Sequence, residues 1–190
     1  MSTGGKKIAV IGAGPAGYTA AQELSKNGYT VDIYDKEDRL GGAIYTGIPE
    51  YRMSKIFLDK VFASMKEDKN ITFHFNTKID CERFEGLRKN YDKVLVATGA
   101  QIENTYGFEP GNGLYAGLTL LYDLNIRGNH EYYKKYKKAM VWGGGNVAMD
   151  CARSLVRIID DVSVVYRRSE EEITANKSEI RDARNENVKF

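Results

Sequence analysis

Lys7-Ile8-Ala9-Val10-Ile11-Gly12-Ala13-Gly14-Pro15-Ala16-Gly17 sets the architecture of this chain. A short apolar run ends on glycine, as a buried strand does before a tight turn. G-x-G-x-x-G follows at once. Gly12 allows the turn, Gly14 lets a pyrophosphate approach the backbone, and Gly17 lets helix and strand pack closely. Pro15 suits the first turn of a helix, where its missing N–H costs nothing. That helix runs to about Asn27, with Gly28 at its C-cap. Thr30–Tyr34 is β-branched and aromatic, a second strand. Asp35 stands at its end, 18 residues after Gly17. An acid there accepts hydrogen bonds from ribose hydroxyls, and Lys36 is grouped with it at the adenosine end of the site. Strand, glycine turn, helix, strand and terminal acid together predict a dinucleotide site.

The same plan returns downstream. Ala139–Trp142 reads as a strand and Gly143-Gly144-Gly145-Asn146-Val147-Ala148 fits G-x-G-x-x-A. A helix over 146–159 and a strand over 162–166 follow. Arg167-Arg168 stands at the strand end in place of an acid, Arg167 lying 19 residues after Ala148. Guanidinium groups there suit a ribose 2′-phosphate, which an acid would repel. The second turn therefore reads as a site for NADPH.

Other segments read as a helix over 54–68 with an apolar face of Phe57, Leu58, Val61, Phe62 and Met65, and a half-buried strand at 71–76. A short charged helix over 82–90 and a buried strand over Val94–Ala97 come next. Glycine- and proline-rich residues 101–113 are the best linker. Leu114–Leu124 and residues 177–187 read as helices, and Val188–Phe190 as the start of another strand. The fold class is α/β: two Rossmann-like βαβ dinucleotide-binding units with parallel sheets, both incomplete at the C-terminus. An FAD-binding part is expected over 1–105 and an NADPH-binding part over 106–190.

Composition narrows the rest. With 190 residues, a net charge of +2 and no long apolar run, neither nucleic acid nor a membrane is expected as a partner. No secretion signal is read at the N-terminus, and a cytoplasmic setting is expected. Cys81 and Cys151 form no CxxC pair and are too few for an all-cysteine iron–sulfur cluster, so they read as free thiols. No metal site is expected. His74 and His130 read as surface residues.

The strings VIGAGPAG, YDKEDRLGGAIYTGIPEYR, YDKVLVATGA, VWGGGNVAMDCARS and VVYRRSEEE occur in this order. With them the chain resembles the FAD- and NADPH-binding part of the glutamate synthase small subunit family. Relatives of that family include a segment of dihydropyrimidine dehydrogenase and the ferredoxin–NADP reductase subunits of bifurcating flavoproteins. Gly41-Gly42, soon after the acid, offers a second close backbone approach; the resemblance implies that Gly12, Gly14, Pro15 and Ala16 cradle the FAD pyrophosphate, and that Gly42 and Ala43 line the flavin path. It places Asp35 where the family usually has Glu. It also implies that Arg52 contacts FAD, that Lys78 lies near the adenine, and that Thr98-Gly99 is the turn between the nucleotide domains. Gly144, Gly145, Asn146 and Val147 would hold the NADPH pyrophosphate, and Arg167 and Arg168 its 2′-phosphate.

The chain departs from the family in three ways. Glu172-Ile173-Thr174-Ala175-Asn176 replaces Glu-Met-Pro-Ala-Arg, removing a third cation. The N-terminal cysteine-rich domain of many relatives is absent, and so is the family's further sequence with its flavin-binding Gly-Asp motif. The expectation is an amino-terminal fragment or truncated product that holds FAD weakly, or only with a partner chain. The implied activity is NADPH-dependent flavoprotein oxidoreduction, with electrons passed to a partner subunit of iron–sulfur or glutamate synthase large-subunit type. The alternatives are a non-catalytic nucleotide-binding module, or an interaction subunit docking through Tyr132, Tyr133 and Tyr136 among Lys134, Lys135, Lys137 and Lys138. No acid or base is nominated, because the cofactors carry such chemistry.

Overall fold

The computed structural model describes residues 5–100 and 102–190. The chain divides into two compact units. One comprises residues up to Thr46 together with Glu50–Ile102, and the other Gly47–Pro49 together with Glu103–Phe190.

The first unit is a parallel four-stranded sheet in the order β3-β2-β1-β4. Its strands are β1 (Lys7–Ile11), β2 (Thr30–Tyr34), β3 (Ile71–His74) and β4 (Lys93–Val96). Parallel strands need crossovers, and α1 (Pro15–Lys26) makes the one from β1 to β2. Side chains alternate along β1. Val10 faces α1 next to Gly17. Ala9 and Ile11 pack on Leu87 of α4 (Cys81–Asn90). Asp80 caps α4 by accepting the Arg83 N–H at 2.9 Å. Between β2 and β3 lie a single turn, α2 (Ala43–Thr46), and α3 (Lys55–Met65).

Two expectations fail in this unit. Phe57 is 60% exposed while Leu58 and Phe62 are buried, so the apolar face of α3 is narrower than its composition. The strand read as buried at Val94–Ala97 is an edge strand, with Leu95 and Val96 exposed. Among the described residues nothing pairs along its outer side.

In the second unit β5 (Lys138–Trp142) and β6 (Asp161–Val165) pair in parallel across α7 (Asn146–Val156). Ala139, Val141, Val162 and Val164 pack with Met149 and Ala152 of α7 and with Ala183 of α8 (Lys177–Asn185). Lys189 forms a parallel bridge to Ser163, so the last residues run beside β6 as a strand would. The helix read over 114–124 is α5 (Gly117–Tyr122) followed by a wider turn, Asp123–Arg127, and then α6 (His130–Tyr133).

Each unit buries charge. In the first, Asp32 takes Lys7 Nζ at 2.6 Å, the Tyr91 hydroxyl at 2.6 Å and His74 Nε2 at 3.1 Å. Burial opposes its ionisation, but these hydrogen bonds outweigh that and hold the carboxyl below the ordinary range. In the second, the Arg153 guanidinium is inside, on Glu179 at 2.6 Å and Glu186 at 2.8 Å, and ties α7 to α8.

Candidate functional site: two glycine turns

β1 delivers the chain to Gly12, whose φ of +107° few side chains tolerate. The Gly12 N–H donates to Tyr34 O at 2.7 Å. A Cβ here would meet Ala97 O at 2.2 Å, so the turn and the Ala97-Thr98 end of β4 touch through bare backbone. A Cβ at Gly17 would lie 1.8 Å from Gly12 O, which forces glycine where helix and turn cross. Gly14 is different. A Cβ there would find only Gly42 Cα, at an ordinary 3.8 Å. Protein contacts do not demand glycine at position 14, and its bareness keeps the space before α1 open. Gly14 is also the N-cap, extended and without a capping side chain. The first N–H groups of α1, together with the helix dipole, thus suit an anion.

Asp35 is brought to this turn. Its Oδ2 accepts the Ala13 N–H at 2.6 Å and its Oδ1 the Glu37 N–H at 2.8 Å. Lys36 lies beside it, its Nζ 3.9 Å from Glu37. Gly41 donates its N–H to Ala13 O at 3.0 Å, and Gly42 packs on Gly14, so the Gly41-Gly42 pair and Ala43, the first residue of α2, join the same cluster. Lys78 follows Thr77, whose N–H donates to Asp35 O at 2.7 Å, and its own carbonyl accepts from Arg83 at 2.8 Å. Thr98 lies against Gly12, with Gly99 next in a left-handed conformation. Arg52 is exposed, in the turn before α3.

The second turn repeats the plan. Gly143 has φ +144° and donates its N–H to Val165 O at 3.0 Å, as Gly12 does to Tyr34. Gly145 is the extended, uncapped N-cap of α7, and the nearest atom to a Cβ there is Thr174 Oγ1 at 4.0 Å. Asn146 begins α7, and Val147 is exposed beside it.

The strand end differs from expectation. The residue 18 positions after Ala148, and directly after β6, is Tyr166 rather than Arg167. Its ring lies across Gly144, where a Cβ would come within 2.7 Å of it, and its hydroxyl donates to Glu172 O at 3.2 Å. Arg167 and Arg168 stand just beyond, exposed, with Arg168 4.0 Å from Glu172. The spacing of Arg167, one residue longer than that of Asp35, was the signal for Tyr166.

A strap missed in the sequence completes this site. Ala175 N–H and the Thr174 hydroxyl both donate to Gly144 O, at 2.8 and 3.1 Å, and Asn176 N–H donates to Asn146 Oδ1 at 2.9 Å. The segment lacking the family's third cation therefore holds the turn through backbone and hydroxyl groups. Of the tyrosines read as a docking face, Tyr133 is buried and donates to Asp123 at 2.9 Å. Tyr132, 50% exposed, and Tyr136 bond to the Tyr115 hydroxyl. Burial pushes the Cys151 thiol up to about 12, which leaves it protonated and a poor nucleophile. Among the described residues no cluster of metal-ligating side chains is found, and no helix is long and apolar enough to cross a membrane.

Two glycine turns, each between a parallel strand and a helix, give the chain a doubled Rossmann-type architecture, and comparison with known proteins places it in a family. The chain matches the pyridine nucleotide-disulphide oxidoreductase model over residues 6–189, and it belongs to that family. It is 38% identical over 192 residues to the NADP(+)-dependent formate dehydrogenase subunit beta of Moorella thermoacetica, covering 98% of this chain and 27% of that protein. It is 33% identical over 201 residues to the glutamate synthase [NADPH] small chain of Escherichia coli, covering 98% of this chain and 42% of that one. The chain thus spans less than half the length of these relatives. Mycobacterium tuberculosis FprA in complex with NADPH has the same fold, with a TM-score of 0.81 at 23% identity over 95% of this chain and 48% of that one.

Proposed function

We propose that the chain binds FAD at the first turn and NADPH at the second, and serves as the nucleotide-binding part of an NADPH-dependent flavoprotein oxidoreductase whose electrons pass to a partner subunit. One observation supports this above the others: two turns of one design, each with an open glycine at an uncapped helix, differ in the charge that follows the second strand, Asp35 after one and Arg167-Arg168, just past Tyr166, after the other. On this reading the FAD part lies within 1–105 and the NADPH part within 106–190. The N-termini of α1 and α7 direct N–H groups at the two pyrophosphates. Asp35, with Lys36 and Lys78 nearby, serves the adenosine of FAD. Gly41, Gly42, Ala43, Arg52, Thr98 and Gly99 line the remainder of that site. Gly144, Gly145, Asn146 and Val147 hold NADPH, and Arg167 and Arg168 fork onto its 2′-phosphate. The cofactors, when bound, supply the hydride and electron transfer, so the chain needs no acid or base of its own.

The similar proteins are named as subunits or chains, which supports a partner chain, and we take it to be an electron acceptor of iron–sulfur or glutamate synthase large-subunit type. Two unpaired cysteines favour the reducing cytoplasm. The test is anaerobic addition of NADPH to protein reconstituted with FAD. Bleaching of the bound flavin is expected. NADPH binding without bleaching would overturn turnover and leave a nucleotide-binding module.

A further inference from the structure

Asp35 is anchored on every side that the backbone offers. Its N–H donates to His74 O at 3.1 Å and its carbonyl accepts the Thr77 N–H at 2.7 Å. One carboxylate oxygen accepts from Glu37, and the other reaches back to the Ala13 N–H at 2.6 Å. That last contact crosses from the end of β2 to the middle of the glycine turn. A carboxylate has about four lone-pair sites, so each oxygen keeps one for a ribose hydroxyl. The carbonyl of Ala13 is held by the Gly41 N–H, as that of its counterpart Gly144 is held by Ala175 and Thr174, and Asp35 adds a side-chain hold on the Ala13 N–H. Each turn is therefore held from outside, and in the first this added brace and the adenosine-facing acid are one side chain. Glutamate is one methylene longer, so its carboxylate cannot meet the Ala13 N–H with the same side-chain geometry.

We infer that Asp35 is a positioning residue for the phosphate-facing turn, fixing Ala13 and with it the backbone at Gly14, in addition to any contact with ribose. The inference rests on the proposal that this turn takes FAD. Its consequence is that Asp35 governs the grip on a flavin phosphate even when no adenosine is present.

FMN, which lacks adenosine, separates the two roles. Binding of FAD and FMN to the flavin-free protein, and hydrogen exchange of the Ala13 amide without flavin, are measured for the native chain, Asp35→Asn and Asp35→Glu. Loss of a charge-assisted hydrogen bond corresponds to about a tenfold change. Asp35→Asn is expected to weaken FMN and FAD alike by about that factor and to speed Ala13 exchange by a similar one. Asp35→Glu, which keeps the charge, is expected to weaken FMN while sparing more of the FAD affinity, and it serves as the test where the Asn variant does not fold. Unchanged FMN affinity and unchanged Ala13 exchange, with only FAD weakened, would overturn the inference and leave Asp35 a ribose ligand alone. If the native chain takes up neither flavin, the FAD proposal fails, and the Ala13 exchange rate still decides whether Asp35 braces the turn.

Discussion

The first glycine turn closes on an acid and the second on a tyrosine ring, although strand, turn and helix are built alike in both. Gly12 and Gly143 turn the chain with left-handed φ, and Gly14 and Gly145 cap their helices without a side chain. The shared parts suit what any dinucleotide presents, a pyrophosphate. The strand ends differ where dinucleotides differ, at the adenosine ribose and its 2′ substituent. The scaffold is thus common to both units, and on the proposed reading selectivity lies in the one or two residues after the second strand.

The helices behind the turns differ as well, and mutation can separate them. Counted from the first glycine of each turn, Arg153 of α7 corresponds to Gln22 of α1. Arg153 is buried against Glu179, Asp182 and Glu186, so Arg153→Met takes the guanidinium away from the buried Glu179 carboxylate. The expected cost is about 3–5 kcal/mol. Gln22→Ala should stay within about 0.5 kcal/mol. Denaturant melts of the two variants check this, and equal costs would break the comparison.

The third position of each motif gives a smaller effect. Gly17→Ala pushes a Cβ into Gly12 O, 1.8 Å away, with an expected loss of about 3 kcal/mol. Ala148→Gly in α7 removes a methyl that its turn already accommodates and should cost about 1 kcal/mol through helix propensity. Thermal melts that reversed this order would mean the two helices do not sit on their turns as described.

Acid gives the gentlest contrast. Burial opposes ionisation of Glu186, but hydrogen bonds from Arg153 and Arg157 prevail and hold its carboxyl at about 2. Its folded value lies below its unfolded one. Its stabilisation is therefore complete above about pH 4.5 and lost as pH falls toward about 2. Asp32 in the first unit is also lowered, so both units soften in the same direction. Glu186→Gln should flatten the acid slope of hydrogen exchange in the second unit and leave that of the first unchanged.

Much of this was legible in the sequence because apolar runs, glycines and strand-end charges are local signals. β1, α1 and β2 follow from residues 7–34 alone. β4 misled because Val94-Leu95-Val96 has the composition of a central strand, whereas exposure depends on what lies beside it. Tyr166, directly before the arginines, carries no charge signal of its own, and its packing across Gly144 joins residues distant in sequence. The bracing of the second turn by Thr174 and Asn176, and the tie of Arg153 to Glu179 and Glu186, join residues distant in sequence and carry no periodic pattern.

The proposed opposition of Asp35 at the first site to Arg167 and Arg168 at the second is tested most directly by calorimetric titration of FAD-saturated protein with 2′,5′-ADP and with 5′-AMP. The 2′-phosphorylated nucleotide should bind at least about tenfold tighter, and Arg167→Met should remove most of that preference. Equal affinities, or a preference that survives loss of both Arg167 and Arg168, would contradict the assignment of the second turn to NADPH.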